Sequence, residues 1–224
     1  MYTTYIFDLD GTLLDTLDDL ASAVNYALRT HGMPEHSIDD VRRFVGNGVR
    51  KLMERAVPDG ADNPSFDETF ASFRQYYMDH SLDTTRPYEG IPETLAALRA
   101  RGCRLAVVSN KMMAATQALC RHFFPDTIEV AIGEDEAAGI RKKPAPDTVL
   151  AALKALGVGK ENAVYVGDSD VDIQTAHNSG IPCISVLWGF RDRNFLQQSG
   201  AETFISTPSD LLSNKKEPSP RFDL

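Results

Sequence analysis

The segment YIFDLDGTLLDT (residues 5–16) decides the fold. An apolar run ends in two carboxylates, Asp8 and Asp10, which stand one residue apart and are followed directly by Gly11. An unpaired carboxylate is costly to bury, and two neighbouring carboxylates repel each other. The end of this predicted strand must therefore meet either solvent or a cation.

Further apolar runs of strand length follow, with helical patterns between them. The strand candidates are residues 5–9, 104–109, 127–132, 163–167, 182–187 and the short 203–205, and the helix candidates are 91–101, 112–123, 146–156 and 170–179. The runs are continuously apolar, which is typical of parallel strands covered on both faces. The alternation of strand and helix predicts an α/β core with a doubly wound, Rossmann-like parallel sheet.

The long interval between the first two strands interrupts this alternation. It is far longer than one crossover helix requires. Within it, residues 17–31, 38–44, 48–56 and 66–80 have helical apolar spacing, and the breakers HGMP, GNG and PDG separate them. We therefore predict an all-helical cap domain at 16–84, a core domain made of 1–15 and 85–214, and a polar, poorly ordered tail at 215–224.

Composition excludes several classes of partner. The 224 residues carry a net charge of −9, and the pI is about 5.0. Because the protein is negatively charged at neutral pH, its electrostatic field repels nucleic acid and anionic membranes. The N-terminal MYTTYIF predicts neither a signal peptide nor a membrane span. Cys103, Cys120 and Cys183 lack metal-binding spacing and fit a reducing cytoplasm. We expect a cytoplasmic protein without nucleic-acid or membrane partners, either a monomer or a homodimer.

Polar clusters follow the predicted strands or open the next helix. They are Asp8 and Asp10, Ser109-Asn110, Lys142-Lys143, and the acids Asp168, Asp170 and Asp172. In a parallel α/β sheet the carboxyl ends of the strands converge, and ligands bind there. Four acids there (Asp8, Asp10, Asp168 and Asp172) against Lys143 require a divalent cation. All-oxygen ligands suit Mg²⁺, and a metal with a lysine and a hydroxyl would receive a phosphoryl group.

Each cluster taken singly has a simpler interpretation. Asp and Gly are ordinary turn residues, Ser109-Asn110 has the form of a helix N-cap, and Lys143 alone would be a solvated charge. The spacing of Asp168, Asp170 and Asp172 matches the start of a calcium-binding EF-hand loop, but Ile173 and Ser179 occupy the positions that need Gly and Glu. The joint placement of the clusters on successive strand ends favours one functional site.

These motifs resemble the haloacid dehalogenase-like superfamily. The matching segments, in family order, are FDLDGTLLDT (7–16), VVSNK (107–111), KKPAP (142–146) and YVGDSDVDI (165–173). The resemblance covers nearly the whole chain, and the helical insert is similar to the C1 cap of subfamily I. Within the superfamily, FVGNGVRKLMERA (44–56) and the general layout are most similar to the phosphoglycolate phosphatase group.

The resemblance implies a role for each core residue. Asp8 would be the nucleophile that forms an aspartyl-phosphate, and Asp10 the general acid and then the base. Ser109 and Lys143 would hold the phosphoryl oxygens, with the Gly11 turn and the backbone of Asn110 also at the phosphate. Mg²⁺ would bind Asp8, the Asp10 carbonyl and Asp168, while Asp172 would orient metal-bound water or Lys143.

Two branches of the superfamily fit poorly. Dehalogenases lack the second Asp and the metal, so the presence of Asp10 favours phosphoryl chemistry. The phosphonate-cleaving branch needs a lysine in its first cap helix, whereas Lys51, the only lysine between residues 16 and 84, lies elsewhere. We predict a Mg²⁺-dependent phosphatase for a small phosphorylated metabolite, phosphoglycolate first. A β-phosphoglucomutase-type enzyme, an inorganic pyrophosphatase, a sugar phosphatase and a non-catalytic phosphate-binding regulator stay open.

Substrate choice is expected to lie in the cap. The turn Gly46-Asn47-Gly48 opens a predicted helix whose N-terminus, with Asn47 and Arg50 nearby, would receive a substrate carboxylate. The alternative is that Arg50, Lys51 and Arg55 form a solvated helical face.

Overall fold

The computed structural model describes residues 2–213, so the predicted tail at 215–224 lies outside the described residues. Six strands form one sheet: β1 (Thr4–Phe7), β4 (Arg104–Met112), β5 (Val130–Glu134), β6 (Ala163–Gly167), β7 (Cys183–Val186) and β8 (Phe204–Ile205). Their order is β5-β4-β1-β6-β7-β8, and every neighbouring pair is parallel. The predicted doubly wound α/β fold is confirmed.

Helices cover both faces of this sheet. They are α5 (Ile91–Ala100), α6 (Met113–Phe123), α7 (Asp147–Leu156), α8 (Asp170–Ser179) and the short α9 (Arg193–Gln198). Side chains of a strand alternate between faces. Accordingly Tyr5 and Phe7 of β1 pack with α5 and α6, whereas Ile6 packs with α7 and α8. The central strand is therefore buried on both sides, and its carboxyl end leads into the site.

Four further helices build a separate apolar cluster. They are α1 (Leu17–Thr30), α2 (Ile38–Phe44), α3 (Val49–Ala56) and α4 (Phe66–His80). Leu20, Val24 and Leu28 of α1 pack in this cluster with Phe73 and Tyr77 of α4. Because these side chains form a core of their own, we propose that the four helices act as the cap domain, with the boundaries predicted above.

A short ribbon and a buried carboxylate join the cap to the core. The strands β2 (Leu14–Asp15) and β3 (Arg86–Pro87) pair antiparallel where the chain leaves and rejoins the core. Asp19 of α1 is 3 % exposed and accepts hydrogen bonds from the backbone N–H and hydroxyl of Thr85, at 2.9 and 2.7 Å. It also accepts from Thr84. The two chain segments that link the cap to the core are therefore held next to each other.

The structure differs from the sequence prediction at several places in the core; β5, for example, covers Val130–Glu134 and not the predicted 127–132. Strand β4 continues beyond residue 109 to Met112, because Met112 pairs with Glu134 of β5 after an irregularity in register. The helix α9 was not predicted; its Asp192 side chain caps it by accepting from the Phe195 N–H at 2.9 Å. Within residues 2–213 no helix is both long and apolar enough to cross a membrane.

Candidate active site

A cavity lies between the carboxyl ends of the central strands and the helical cap. The core lines it with Asp8, Asp10, Ser109, Asn110, Lys111, Lys143, Asp168, Ser169, Phe190 and Arg191, and the cap with Leu20, Val45, Gly46, Gly48, Val49 and Leu52. The core side is thus polar and charged, and the cap side mostly apolar. Most of the residues predicted at the strand ends meet in this one cavity.

Asp8 directly follows β1 and is 7 % exposed. Its backbone N–H donates to the carbonyl of Val166 at 2.9 Å, which extends the sheet pairing by one residue. Its Oδ1 lies 2.7 Å from the Nζ of Lys143. Burial and the neighbouring Asp172 raise the pKa of Asp8 well above its ordinary value, and Lys143 opposes them. The carboxylate is therefore in a setting that favours a cationic partner.

Lys143 is held by a buried network behind Asp8. Its Nζ lies 2.7 Å from Oδ1 of Asp172, which is fully buried, and 3.1 Å from the hydroxyl of Tyr165. Burial acts to lower the pKa of Lys143, but the carboxylates of Asp172 and Asp8 outweigh it and raise that pKa. Lys143 is therefore a charged lysine that connects two carboxylates.

Both carboxylate oxygens of Asp172 accept hydrogen bonds from the protein. Oδ1 accepts from Lys143 and from the Tyr165 hydroxyl at 2.9 Å, and Oδ2 accepts from the Ser169 hydroxyl at 2.6 Å and from the N–H groups of Asp168 and Ser169. The Ser169 contacts form a capping box at the start of α8. Asp172 therefore positions Lys143 and fixes the loop that carries Asp168.

Asp168 is 1 % exposed at the end of β6. Its Oδ2 accepts from the Phe190 N–H at 2.7 Å and its Oδ1 from the Thr12 hydroxyl at 3.3 Å. Burial, with Asp172 adding to it, raises the pKa of Asp168 to about 7. A Cβ at Gly189 would lie 2.3 Å from the Asp168 Cβ, so only glycine permits this approach.

Gly11, predicted at the substrate, contacts Asp168 instead. Its φ of +82° is in the left-handed region, and a Cβ there would lie 2.4 Å from Oδ2 of Asp168. The absence of a side chain lets the turn after Asp10 pack directly on the Asp168 carboxylate. Gly11 does not line the cavity, so its place in the site is to keep the acidic loops close together.

Asp10 lines the same cavity, and its partners differ from those of the Lys143 network. Its Oδ1 accepts from the Lys111 Nζ at 2.6 Å and from the Thr16 hydroxyl at 2.7 Å, while its Oδ2 is 3.5 Å from the Ser109 hydroxyl. The structure thus brings Asp10 and Ser109 together as predicted. Lys111 is a functional candidate that our sequence reasoning missed, although it is the last residue of the motif VVSNK.

Asn110, which lies within β4, connects two segments of the site through its side chain. Its side-chain carbonyl accepts from the Lys143 N–H at 2.7 Å, and its Nδ2 donates to the carbonyls of Lys143 and Gly46 at 3.1 and 3.3 Å. Gly46 belongs to the cap, so this amide joins the lysine loop to the cap. Asn110 lines the cavity, but its side chain is already engaged.

The structure does not bring Asn47 and Arg50 to the cavity, which corrects our prediction for the cap. Asn47 accepts from the Arg55 guanidinium at 2.7 Å. The Arg50 side chain is 53 % exposed and lies 3.4 Å from Glu54 and 3.9 Å from Asp67. Gly48 and Val49 face the cavity instead. The rotation of α3 directs its basic residues outward, which is the alternative interpretation given above.

The comparisons with known proteins agree with this geometry. Residues 5–186 match the family of haloacid dehalogenase-like hydrolases. The chain belongs to this family. A phosphoglycolate phosphatase from Aquifex aeolicus is 35 % identical over 209 residues, covering 92 % of this chain and 93 % of its own. An N-acetylmuramic acid 6-phosphate phosphatase from Pseudomonas aeruginosa is 29 % identical and covers 92 % of each chain.

A solved structure extends this relationship to the fold. The crystal structure of a proposed phosphoglycolate phosphatase from Lactobacillus delbrueckii subsp. bulgaricus superposes with a TM-score of 0.89 at 39 % identity, covering 94 % of this chain and 96 % of that one. This chain is therefore a phosphoric monoester hydrolase of the haloacid dehalogenase-like family, acting on small phosphorylated compounds.

The charges of this hydrolase's site fit a divalent cation. Of the described residues, four buried or half-buried carboxylates (Asp8, Asp10, Asp168 and Asp172) meet two lysines, Lys111 and Lys143. Arg191 lines the same cavity and adds a third positive charge, so the carboxylates still exceed the cations by one. Oxygens of Asp8, Asp168 and Asp172 lie within 4.8 Å of one another. Because buried carboxylates need pairing or a metal, the donor set suits an ion with oxygen ligands.

Arg191 is the second functional candidate that sequence reasoning missed. It follows β7 in the core, yet its guanidinium donates to cap carbonyls: Arg42 O and Val45 O at 2.7 Å each, and Arg43 O at 3.3 Å. These carbonyls belong to the C-terminal end of α2, where a cation is favourable. Arg191 thus links the core to the cap through hydrogen bonds, and it also lines the cavity between them.

Proposed function

We propose that this hydrolase is a Mg²⁺-dependent phosphatase that acts through an aspartyl-phosphate, with phosphoglycolate as its first-choice substrate. The observation that carries the proposal is the position of Asp8: it lies at the tip of the central strand, inside the cavity, 2.7 Å from Lys143. Asp10, two residues later, lines the same cavity. This arrangement supports Asp8 as the nucleophile and Asp10 as the proton-transfer group.

In the first step Asp8 attacks phosphorus in line with the leaving oxygen. Lys143 contacts Oδ1, so Oδ2 is the oxygen that forms the new bond to phosphorus. The bond from phosphorus to the leaving oxygen breaks, and Asp10 donates a proton to that oxygen. Ser109 and Lys143 stabilise the charge on the non-bridging oxygens, which grows in the transition state.

In the second step the aspartyl-phosphate is hydrolysed. Asp10, now ionised, takes a proton from a water molecule, and the resulting nucleophile attacks phosphorus. The bond to Asp8 breaks, the carboxylate is regenerated and inorganic phosphate leaves. The apolar cap residues Leu20, Val45 and Leu52 line the same cavity and exclude other water from it.

Mg²⁺ would be held by Asp8, Asp168 and the carbonyl oxygen of Asp10, where it would supply the positive charge that offsets the clustered carboxylates and the phosphate. Asp172 would not contact it, because five donors occupy its two oxygens and, unlike Asp168, it does not line the cavity. The excess of carboxylates, together with the charges of a bound phosphate, supports a divalent ion over a monovalent one.

The choice of phosphoglycolate is supported by the relatives. The Aquifex aeolicus protein named above carries that activity in its name, and the chain covers almost all of its length. The cap side of the cavity is apolar and close to the catalytic residues, which suits a small substrate. We retain a cytoplasmic location and a monomeric or homodimeric state as parts of the proposal, to be measured by cell fractionation and light scattering.

The test is phosphate release from a panel of phosphorylated compounds, with Mg²⁺ and with EDTA. The panel contains phosphoglycolate, pyrophosphate, hexose phosphates, N-acetylmuramic acid 6-phosphate and β-glucose 1-phosphate. We expect Mg²⁺-dependent release with a preference for phosphoglycolate. A preference for another compound would overturn the substrate, and isomerisation of the glucose phosphate without release would overturn hydrolysis.

Three variants test the assigned roles. Asp8→Asn should abolish phosphate release, and Asp10→Asn should slow it and let the phosphorylated enzyme accumulate, as seen by intact mass. Asp170→Asn is the matched control, since Asp170 is exposed at the start of the same helix that carries Asp172. Near-native turnover by Asp8→Asn or Asp10→Asn would show that the roles are wrong.

A further inference from the structure

Lys111 is a buried cation on the Asp10 side of the cavity. Its side chain is 5 % exposed, and its Nζ lies 2.6 Å from Oδ1 of Asp10. The ring of Tyr77, from the cap helix α4, is centred 5.0 Å from the same Nζ. Burial acts to lower the pKa of Lys111, but Asp10 raises it above its ordinary value. A positive charge therefore borders the cavity between core and cap.

Part of this ammonium group is available to a ligand. An ammonium group has three N–H donors and no acceptor; Asp10 takes one of them, and the Tyr77 side chain is the other protein group that interacts with it. Asp10 does not depend on Lys111 for its orientation, because Thr16 donates to the same oxygen at 2.7 Å. Since Lys111 lines the cavity beside Asp10 and Ser109, its remaining donors are within reach of a bound anion.

The other cations near the cavity are engaged elsewhere. Lys143 bridges Asp8 and Asp172 on the nucleophile side. The Arg191 guanidinium is occupied by three cap carbonyls. Arg50, which the sequence had suggested, pairs with Glu54 and is largely exposed. Within residues 2–213, Lys111 is thus the cavity cation next to the proton donor.

The position beside Asp10 determines which part of a substrate meets Lys111. Asp10 donates to the leaving oxygen, so the group attached to that oxygen lies next to Asp10, whose Oδ1 contacts Lys111. In a phosphorylated 2-hydroxy acid, a single carbon separates that oxygen from a carboxylate. The buried ammonium group of Lys111 would pair with this carboxylate. A substrate without the carboxylate would bury the ammonium group without this partner, which is costly.

We propose that Lys111 is the specificity residue that selects phosphate esters bearing a carboxylate one carbon from the leaving oxygen. This rests on the proposed phosphatase function and names the protein group that recognises its substrate. A site built around a charged hydrogen bond discriminates strongly against an analogue that lacks the partner.

The experiment compares two substrates that differ only in this group, phosphoglycolate and ethyl phosphate, with the wild type and with Lys111→Met. We expect the ratio of kcat/KM for phosphoglycolate to kcat/KM for ethyl phosphate to fall about 100-fold in the variant, as for loss of a hydrogen bond between charged groups. A loss that both substrates share reports the contact between Lys111 and Asp10 and cancels in this ratio. Hydrolysis of ethyl phosphate by the variant also shows that it is folded.

Two more variants complete the design. Lys111→Arg keeps the charge and should retain most of the preference for phosphoglycolate. Lys142→Met removes an exposed lysine one residue before Lys143 and should change neither substrate. An equal loss on both substrates would mean that Lys111 only supports Asp10, and no loss would also overturn the proposal. A wild type that does not prefer phosphoglycolate would overturn the proposed substrate itself.

Discussion

The contact between Arg191 and the cap makes cap closure sensitive to a single side chain. Arg191→Ala removes the two short hydrogen bonds to the carbonyls of Arg42 and Val45 and the longer one to Arg43. When the cap opens, water replaces the arginine at these carbonyls, so each short bond contributes a net of about 1 kcal/mol to closure. The loss of both therefore weakens closure by about 2 kcal/mol, which is roughly 30-fold.

Because catalysis requires the closed cavity, we expect kcat/KM of Arg191→Ala to fall by about 30-fold. Arg191→Lys keeps the charge but reaches one carbonyl in place of three, and we expect an intermediate value. Arg193→Ala is the matched control, since Arg193 is exposed on the following helix and stacks on Phe204. It should behave as the wild type.

Closure itself can be measured without substrate turnover. Trp188, the single tryptophan of the chain, borders the groove between core and cap together with Arg42. Acrylamide should quench its fluorescence more in Arg191→Ala than in the wild type. If kcat/KM falls while quenching is unchanged, Arg191 acts on the substrate and the closure reasoning is refuted. Wild-type values for both would refute it as well.

Three further outcomes follow from the buried carboxylates. Asp172→Asn breaks the fully buried pair with Lys143, so the free energy of unfolding in urea should fall by about 3–5 kcal/mol; a change below 1 kcal/mol would contradict the network. Asp19→Ala leaves the hydroxyl and N–H of Thr85 unpaired and should cost about 2–3 kcal/mol, measured in the same way and contradicted by an unchanged midpoint. Burial raises the pKa of Asp168 to about 7, and a metal needs the ionised form. Mg²⁺ affinity by calorimetry should therefore weaken as the pH falls through about 7, whereas a pH-independent affinity would contradict its role as a ligand.

The core could be predicted because its local signals agree with each other. Continuous apolar runs, helical spacing and glycine breakers all indicate the same elements, and β6 and α8 have the bounds that the sequence predicts. The end of β4 could not be predicted in this way. Ser109, Asn110 and Lys111 are polar, and only the pairing of Met112 with β5 keeps the strand going.

The core part of the site was likewise predictable from topology. Asp8, Lys143 and Asp168 come after three different strands and Ser109 lies near the carboxyl end of a fourth, and a parallel sheet brings the ends of its strands to one edge. The cap gave no such constraint. A helix turns by about 100° per residue, so whether Arg50 or Val49 faces the cavity depends on how α3 packs on its neighbours. Arg191 needed the same information, because its partners are backbone carbonyls of a distant helix.

Lys111 differs from these cases, because the sequence contains two signals for it. Side chains two residues apart on a strand lie on the same face, so a Ser109 that faces the cavity implies a Lys111 that faces it too. The charge count gives the second signal: four carboxylates against one lysine leave more negative charge than one divalent ion neutralises. A second buried lysine reduces this excess, as does Arg191, and the structure places the lysine on Asp10. Lys111 therefore both lowers the excess negative charge of the site and lies next to the leaving group of the substrate.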